Sequence, residues 1–320
     1  MMKSRKKPLL LLALGILLST AIVFFIPFTY SKTIDVPFAI VKTTELVIYP
    51  NQLQKWFLPF TVQDQGEVER VYKPKAGLKW DGYTLSLESS NAVITQYSFT
   101  NNKEKLSFSI GVEPEIANAQ ACKVILQFRS SLWKMIAGSF TPLEQYAINS
   151  IDNFHDYTNR TERFYGYKIE LGKVVDTAYL YASKTVPTGD IKAGQIALYD
   201  TLLAFAREKN AKYNGTRIFY KEPAGEGSTK LFASIAVNSR VLVQPDDEIR
   251  YKMMPMGKNL LIATYRGPYG KVDAVYKALE DFKRDYSLVS MAIPFERFKT
   301  KGYGFSPGDT VDLEVCYPVY

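Results

Sequence analysis

The sequence predicts an α+β protein in which two domains follow an apolar N-terminal segment. Three observations carry that prediction. Between residues 68 and 128, β-rich or alternating segments succeed one another with turn clusters between them. From Pro142 onward the apolar period lengthens to three or four residues, which marks one long helix. Beyond residue 168, an order of strand, helix and two extended segments occurs twice.

The N-terminal element is the run Pro8–Ser31, PLLLLALGILLSTAIVFFIPFTYS, which carries no charge. A helix needs roughly 20 apolar residues to cross a bilayer core, and this run meets that length. Lys3, Arg5, Lys6 and Lys7 precede it, against Lys32 alone just after it, so the N-terminus is expected in the cytoplasm. Residues 1–31 are therefore predicted to be an uncleaved signal anchor, a single transmembrane helix that places both domains on the outer (periplasmic or extracellular) face. A cleaved signal peptide fits less well, because its apolar region is about 7–15 residues long and ends at a small-x-small site. No cysteine follows the run, which excludes a lipoprotein anchor.

Residues 32–167 form the first predicted domain. A short strand ends at Pro37, and a broken helical stretch follows, with Pro50-Asn51 marking a turn before Trp56. Strands are expected over Val68–Tyr72, Tyr83–Leu87, Ala92–Phe99, Leu106–Val112 and Cys122–Phe128. Leu143, Tyr146, Ala147, Ser150, Phe154, Tyr157, Thr161 and Phe164 then give a single helix over Pro142–Tyr167. This order, with Val36-Pro37, Asn51 and Trp56, resembles the SRPBCC (START-like, polyketide-cyclase-like) superfamily. The resemblance implies a helix-grip fold, whose sheet wraps the long helix and often leaves an apolar cavity for a lipid or other hydrophobic ligand. Packing of Trp80, Tyr97 and Phe108 into that space is the competing expectation.

Residues 168–320 form the second. Its first copy holds a strand at Thr177–Ala182, a helix at Asp190–Lys209 and extended segments at Arg217–Lys221 and Lys230–Val237. The second holds a strand at Leu260–Tyr265, a helix at Gly270–Tyr286, an extended Ser290–Phe298 and a strand at Thr310–Tyr317. Ile196, Tyr199, Leu202, Leu203 and Ala206 in one helix match Val272, Val275, Tyr276, Leu279 and Phe282 in the other. Each stripe must face a sheet. Asp190 is placed to cap its helix. A pseudo-twofold repeat of two strand-helix-strand-strand units in one sheet follows, with a groove along the axis.

The second copy resembles the GyrI-like small-molecule-binding domain, also called the AraC effector-binding domain. Tyr265-x-Gly267-Pro268-Tyr269, Phe295-Glu296-x-Phe298 and Leu313-Glu314-Val315-x-x-Pro318-Val319 carry the likeness. The resemblance implies a groove for lipophilic, often cationic, small molecules, with Glu296 as the acidic residue in it. Phe298 stands where the family has a tyrosine. A hydrolytic branch of the family uses a Trp and Glu pair, but all three tryptophans (Trp56, Trp80, Trp133) lie in the first domain.

The chemistry of the residues points the same way. A carboxylate among aromatic faces attracts a delocalised organic cation through charge and ring quadrupoles together. The expected ligand-binding set is Glu296, Tyr265, Tyr269 and Phe295, with Tyr181 and Tyr220 added by the repeat. For each tyrosine, core packing is the competing role. Pairing with Arg297 or a lysine at the surface is the competing role for Glu296.

Composition removes other classes. The net charge of +8 owes four units to the extreme N-terminus, and the remainder forms no basic run. No helix-turn-helix, zinc-finger or RNA-binding signature is present, so nucleic acid is not an expected partner. One histidine, His155, and two distant cysteines, Cys122 and Cys316, offer no metal spacing and no disulfide framework. Phosphate-binding and dinucleotide glycine motifs are absent, and no cofactor is expected. The leading expectation is a membrane-anchored, non-enzymatic binder of a hydrophobic or cationic small molecule. The alternatives are a hydrolase with Glu296 as general base and lipid binding in the first domain.

Overall fold

The computed structural model describes residue 15 and residues 27–61, 68–73, 75–91, 93–244, 247–290 and 292–320. The chain divides into two compact units, Met1–Arg160 and Thr161–Tyr320.

In the first unit, β1 (Pro27–Val36) leads to the helices α1 (Ile40–Ile48) and α2 (Pro50–Leu53). Then come β2 (Glu69–Val71), β3 (Gly77–Trp80), β4 (Tyr83–Ser90), β5 (Ile94–Thr100), β6 (Lys105–Glu115) and β7 (Asn118–Ser131). The helices α3 (Leu132–Ala137) and α4 (Pro142–Asn159) close it. The strands form one antiparallel sheet in the order β1-β7-β6-β5-β4-β3-β2, and α4 packs on β1, β6 and β7. This arrangement is compatible with a helix-grip fold.

The N-terminal expectation needs correction. The expected span ends inside β1, where Pro27 pairs with Ser131 and Ser31 with Gln127. Tyr30 stacks on Phe128 at 4.8 Å. Phe28 and Tyr30 alternate with Thr29 and Ser31, and a summed hydropathy does not register that two-residue period. Most of Pro8–Ser31 lies outside the described residues. Among the described residues, no helix is long and apolar enough to cross a membrane. The predicted single-pass transmembrane helix, and the outer-face localisation drawn from it, are not supported.

Aromatic rings fill the space between sheet and helix. Trp56 lies 4.4 Å from Phe154 of α4 and donates its indole N–H to the Leu46 carbonyl. Phe57 stacks on Phe108, which stacks on Tyr97. The start of α4 is a capping box: the Thr141 hydroxyl accepts from the Glu144 amide, and the Glu144 carboxylate accepts from the Thr141 amide. The single helix expected to reach Tyr167 stops at Asn159, because Arg160 is extended (φ −107°, ψ 112°).

In the second unit, α5 (Thr161–Tyr165) precedes β8 (Ile169–Lys173), β9 (Ala178–Pro187), α6 (Ile191–Glu208), β10 (Tyr213–Pro223), β11 (Ser228–Val237) and β12 (Arg250–Met253). Next are β13 (Asn259–Pro268), α7 (Val272–Asp285), β14 (Phe295–Phe298) and β15 (Thr310–Pro318). The antiparallel sheet has the order β12-β9-β11-β10-β14-β15-β13-β8. Its six inner strands read the same from either side of the β10–β14 seam, as a duplicated unit requires. Helix α6 lies on β9 and β11, and α7 on β13 and β15. Both helices cover one face, and their buried residues share a core with it.

The buried stripe of α6 is Gly194, Gln195, Leu198, Tyr199, Leu202 and Ala206, while Ile196 and Leu203 stand at its flank. Asp190 occupies the N-cap position without a side-chain capping bond, because a 3₁₀ turn (Thr188–Asp190) already leads into the helix. Cys122 and Cys316 are buried free thiols. Burial pushes the Cys316 thiol up to about 12.

Candidate functional site

Strand β14 lies at the centre of the second sheet, between β10 and β15, so its side chains cannot reach solvent past a sheet edge. Its four residues alternate between the two faces. Glu296 and Phe298 point to the face that carries the helices, and Phe295 and Arg297 to the other. Glu296 stands opposite Phe219 of β10 and Val315 of β15. It is 1% exposed, a carboxylate buried in the middle of a largely apolar face.

Two phenols satisfy it. Tyr269, in the turn between β13 and α7, donates to Oε2 at 2.8 Å, and Tyr276 of α7 donates to Oε1 at 3.5 Å. The Tyr269 ring lies 6.2 Å from Phe298 and 6.0 Å from Phe305, and Phe298 and Phe305 are 5.1 Å apart. Lys221 of β10 holds its ammonium 5.3 Å from the Tyr269 ring centroid. Among the described residues Glu296 forms no ion pair. Arg297, one residue on, pairs instead with Glu314 on the opposite face at 2.5 Å.

Burial dominates the electrostatics. Loss of hydration raises the Glu296 carboxyl to about 7. The Tyr269 hydrogen bond and the Lys221 charge pull it down, Asp273 pushes it up, and the Tyr276 hydrogen bond lowers it further. Burial, followed by the Glu296 charge, likewise raises the Tyr269 and Tyr276 hydroxyls far above the usual phenol range, so both remain donors.

Of the residues singled out in sequence, Glu296 and Tyr269 come together. Tyr265 is on the same face, but β15 separates its strand from β14, and its hydroxyl is spent on the Pro268 carbonyl at 2.7 Å. Phe295 is on the far face, in a small core with Tyr179, Ile218 and Cys316. Tyr220 and Tyr181 are on that far face as well, opposite Phe232 and Ser234. The repeat explains Tyr181. Pro187 and Pro268 end the equivalent strands, which makes Tyr181 the counterpart of Ile262 and not of Tyr265.

Three contributors were missed. Tyr276 was legible as part of a helical stripe, but not as a hydrogen-bond donor to Glu296. Lys221 and Phe305 come from distant segments, and no local pattern marks them. A separate cavity of about 390 Å³ near β9 and α6 is lined by Ala182, Ser183, Lys184, Leu198, Thr201 and Glu248, and does not include Glu296.

Comparison with known proteins places these features beside others. No family model matches the chain, and no curated protein does. Among solved structures, the cryo-EM structure of the EcmrR–DNA complex in EcmrR-RPo is similar at 15% identity. That match has a TM-score of 0.37 and covers 53% of this chain and 63% of that one, so the chain spans under two thirds of its length. The crystal structure of the EcmrR C-terminal domain matches at 14% identity, with 48% and 98% covered and a TM-score of 0.36. The di-domain ARO/CYC BexL from the BE-7585A biosynthetic pathway matches at 13% identity, with 92% and 85% covered and a TM-score of 0.30.

Proposed function

We propose that the second unit is a small-molecule-binding domain that seats the positive centre of a hydrophobic organic cation against Glu296. One observation carries the reading. A carboxylate 1% exposed sits among Tyr269, Tyr276 and Phe298 and has no ion-pair partner among the described residues. An isolated buried carboxylate costs several kcal/mol when ionised. A ligand cation with aromatic contacts offsets that cost by charge and by ring quadrupoles together. The symmetric sheet with a helix on either side of the seam is the setting that the GyrI-like resemblance implies for such a groove.

The test is titration of the full chain, wild type and Glu296→Gln, with a panel of lipophilic cations above pH 8. Binding weaker by on the order of tenfold or more, about 1.4 kcal/mol, is expected of the variant. Equal affinities would remove the assigned role.

A second reading has one observation in its favour. A carboxyl at about 7 lies in the range of an effective general base. Glu296 would then activate water toward an electrophilic small molecule. Both of its oxygens are engaged by phenols, which weighs against it. Turnover that disappears in Glu296→Gln supports this reading, and binding without turnover removes it. The ring-on-ring interior of the first unit weighs against a lipid cavity there. A depression of about 480 Å³ in that unit is lined largely by polar sheet residues such as Gln96, Ser107, Gln127 and Arg129.

A further inference from the structure

Two opposite charges on the helix-bearing face of the second sheet lack ion-pair partners among the described residues, and both meet the same ring. Phe219 of β10 stands directly opposite Glu296. Lys221, two residues further on, shares its face and is a diagonal neighbour. Its ammonium lies 5.3 Å from the centre of Tyr269, within cation–π range. The Tyr269 hydroxyl donates to Glu296 at 2.8 Å. A cation over an aromatic face beside a buried carboxylate is the arrangement that an organic cation would adopt here. The equivalent residue in the other half of the repeat is Phe298, so the duplicated plan does not itself call for a charge.

We propose that Lys221 is the resident cation of this site and sets its charge selectivity: an organic cation binds by replacing the Lys221 ammonium on the Tyr269 face. The inference rests on Glu296 as the cation seat. An alkylammonium is compact and strongly hydrated, and loses little on returning to water. A bulky delocalised cation is less hydrated and gains more from the rings, so the exchange favours it. A neutral molecule of the same shape leaves Lys221 in place and gains nothing from Glu296. Other groups facing the carboxylate are Tyr269 in its turn, Asp273 and Tyr276 on α7 and Tyr199 on α6.

The experiment measures binding of tetraphenylphosphonium, and of uncharged triphenylphosphine oxide, to the full chain at pH 8.5. Wild type, Lys221→Met, Lys221→Arg and Glu296→Gln are compared, with thermal unfolding as a check on folding. Lys221→Met is expected to tighten the cation on the order of tenfold, the scale of one nearby charge at a protein's effective dielectric. Lys221→Arg, whose delocalised and less hydrated guanidinium holds the Tyr269 ring more firmly, should weaken the cation relative to wild type, and the uncharged probe should be unaffected throughout. Unchanged or weaker cation binding in Lys221→Met overturns the proposal. If Glu296→Gln binds the cation as wild type does, the parent reading fails instead.

Discussion

Replacing Glu296 by Gln should make the second unit more stable at neutral and alkaline pH, and the sign follows from where the carboxyl titrates. Its folded value is about 7, against 4.5 for the unperturbed group. The folded state therefore holds the proton more tightly than the unfolded chain. Stability from this group is fully present below about 4.5 and is lost as pH rises through about 7. At 1.36 kcal/mol per pH unit, the loss approaches roughly 3 kcal/mol. Gln keeps the shape and a carbonyl acceptor for Tyr269 but does not ionise. The variant should match wild type near pH 4.5 and exceed it by up to roughly 3 kcal/mol at pH 8. All three tryptophans lie outside this unit, so tryptophan emission does not report on it. Hydrogen exchange across a denaturant series, read on peptides from β14 and β15, does. If the difference between the two proteins is the same at pH 5 and pH 8, burial of an ionisable Glu296 is refuted.

The Tyr269 and Gly304 positions give two further tests. Tyr269→Phe removes the 2.8 Å donor that stabilises the ionised carboxylate, so the Glu296 titration should move up from about 7. A protonated-carboxyl band followed by difference infrared, with Glu296→Gln as the blank, records the shift; an unmoved band contradicts the assigned bond. Gly304→Ala combines a left-handed backbone (φ +81°) with a Cβ that would stand 2.3 Å from Ile196. A cost of about 1–3 kcal/mol is expected, with faster exchange confined first to residues 299–309. Unchanged exchange there would show that the segment does not press on α6.

The elements were largely legible because their periods are strong. The stripes of α6 and α7, the alternation in β5 to β7 and the strand-helix-strand-strand order all follow from where apolar residues recur. The site was legible only in part, and adjacency was the misleading signal. Phe295 is next to Glu296 in sequence, and for that reason it lies on the opposite face. Aligning the repeat on apolar content brings in Tyr181, whereas the prolines ending β9 and β13 fix a different register. Gln195 gave no signal, since an amide on a buried helical face carries no hydrophobic mark. The end of the N-terminal run misleads for a related reason: Phe28 and Tyr30 add to a hydropathy sum whether their backbone is helical or paired to β7.

Two identical halves would place two equivalent buried carboxylates across the β10–β14 seam, yet among the described residues there is one. The carboxylate, Tyr269 and Tyr276 all belong to the second half, whose counterparts in the first are Phe219, Thr188 and Gln195. The connections differ as well. Residues 224–227 join β10 to β11 as a tight turn, whereas residues 299–309 join β14 to β15 and cross toward α6. The first half holds that longer segment in place. Gln195 accepts the amides of Gly304 and Phe305 at 3.0 and 3.3 Å, and Arg217 donates to the carbonyls of Thr300 and Gly302. Tyr303 bonds Asp200, and Lys192 bonds Ser306 at 3.1 Å. Phe305 is thereby pressed onto Tyr269 and Phe298, the rings that close over Glu296. The second half supplies the carboxylate and the segment that shields it, and the first supplies the clamp and the facing cation. Burial of Glu296, and so its raised titration, is a property of the joined pair and not of either repeat.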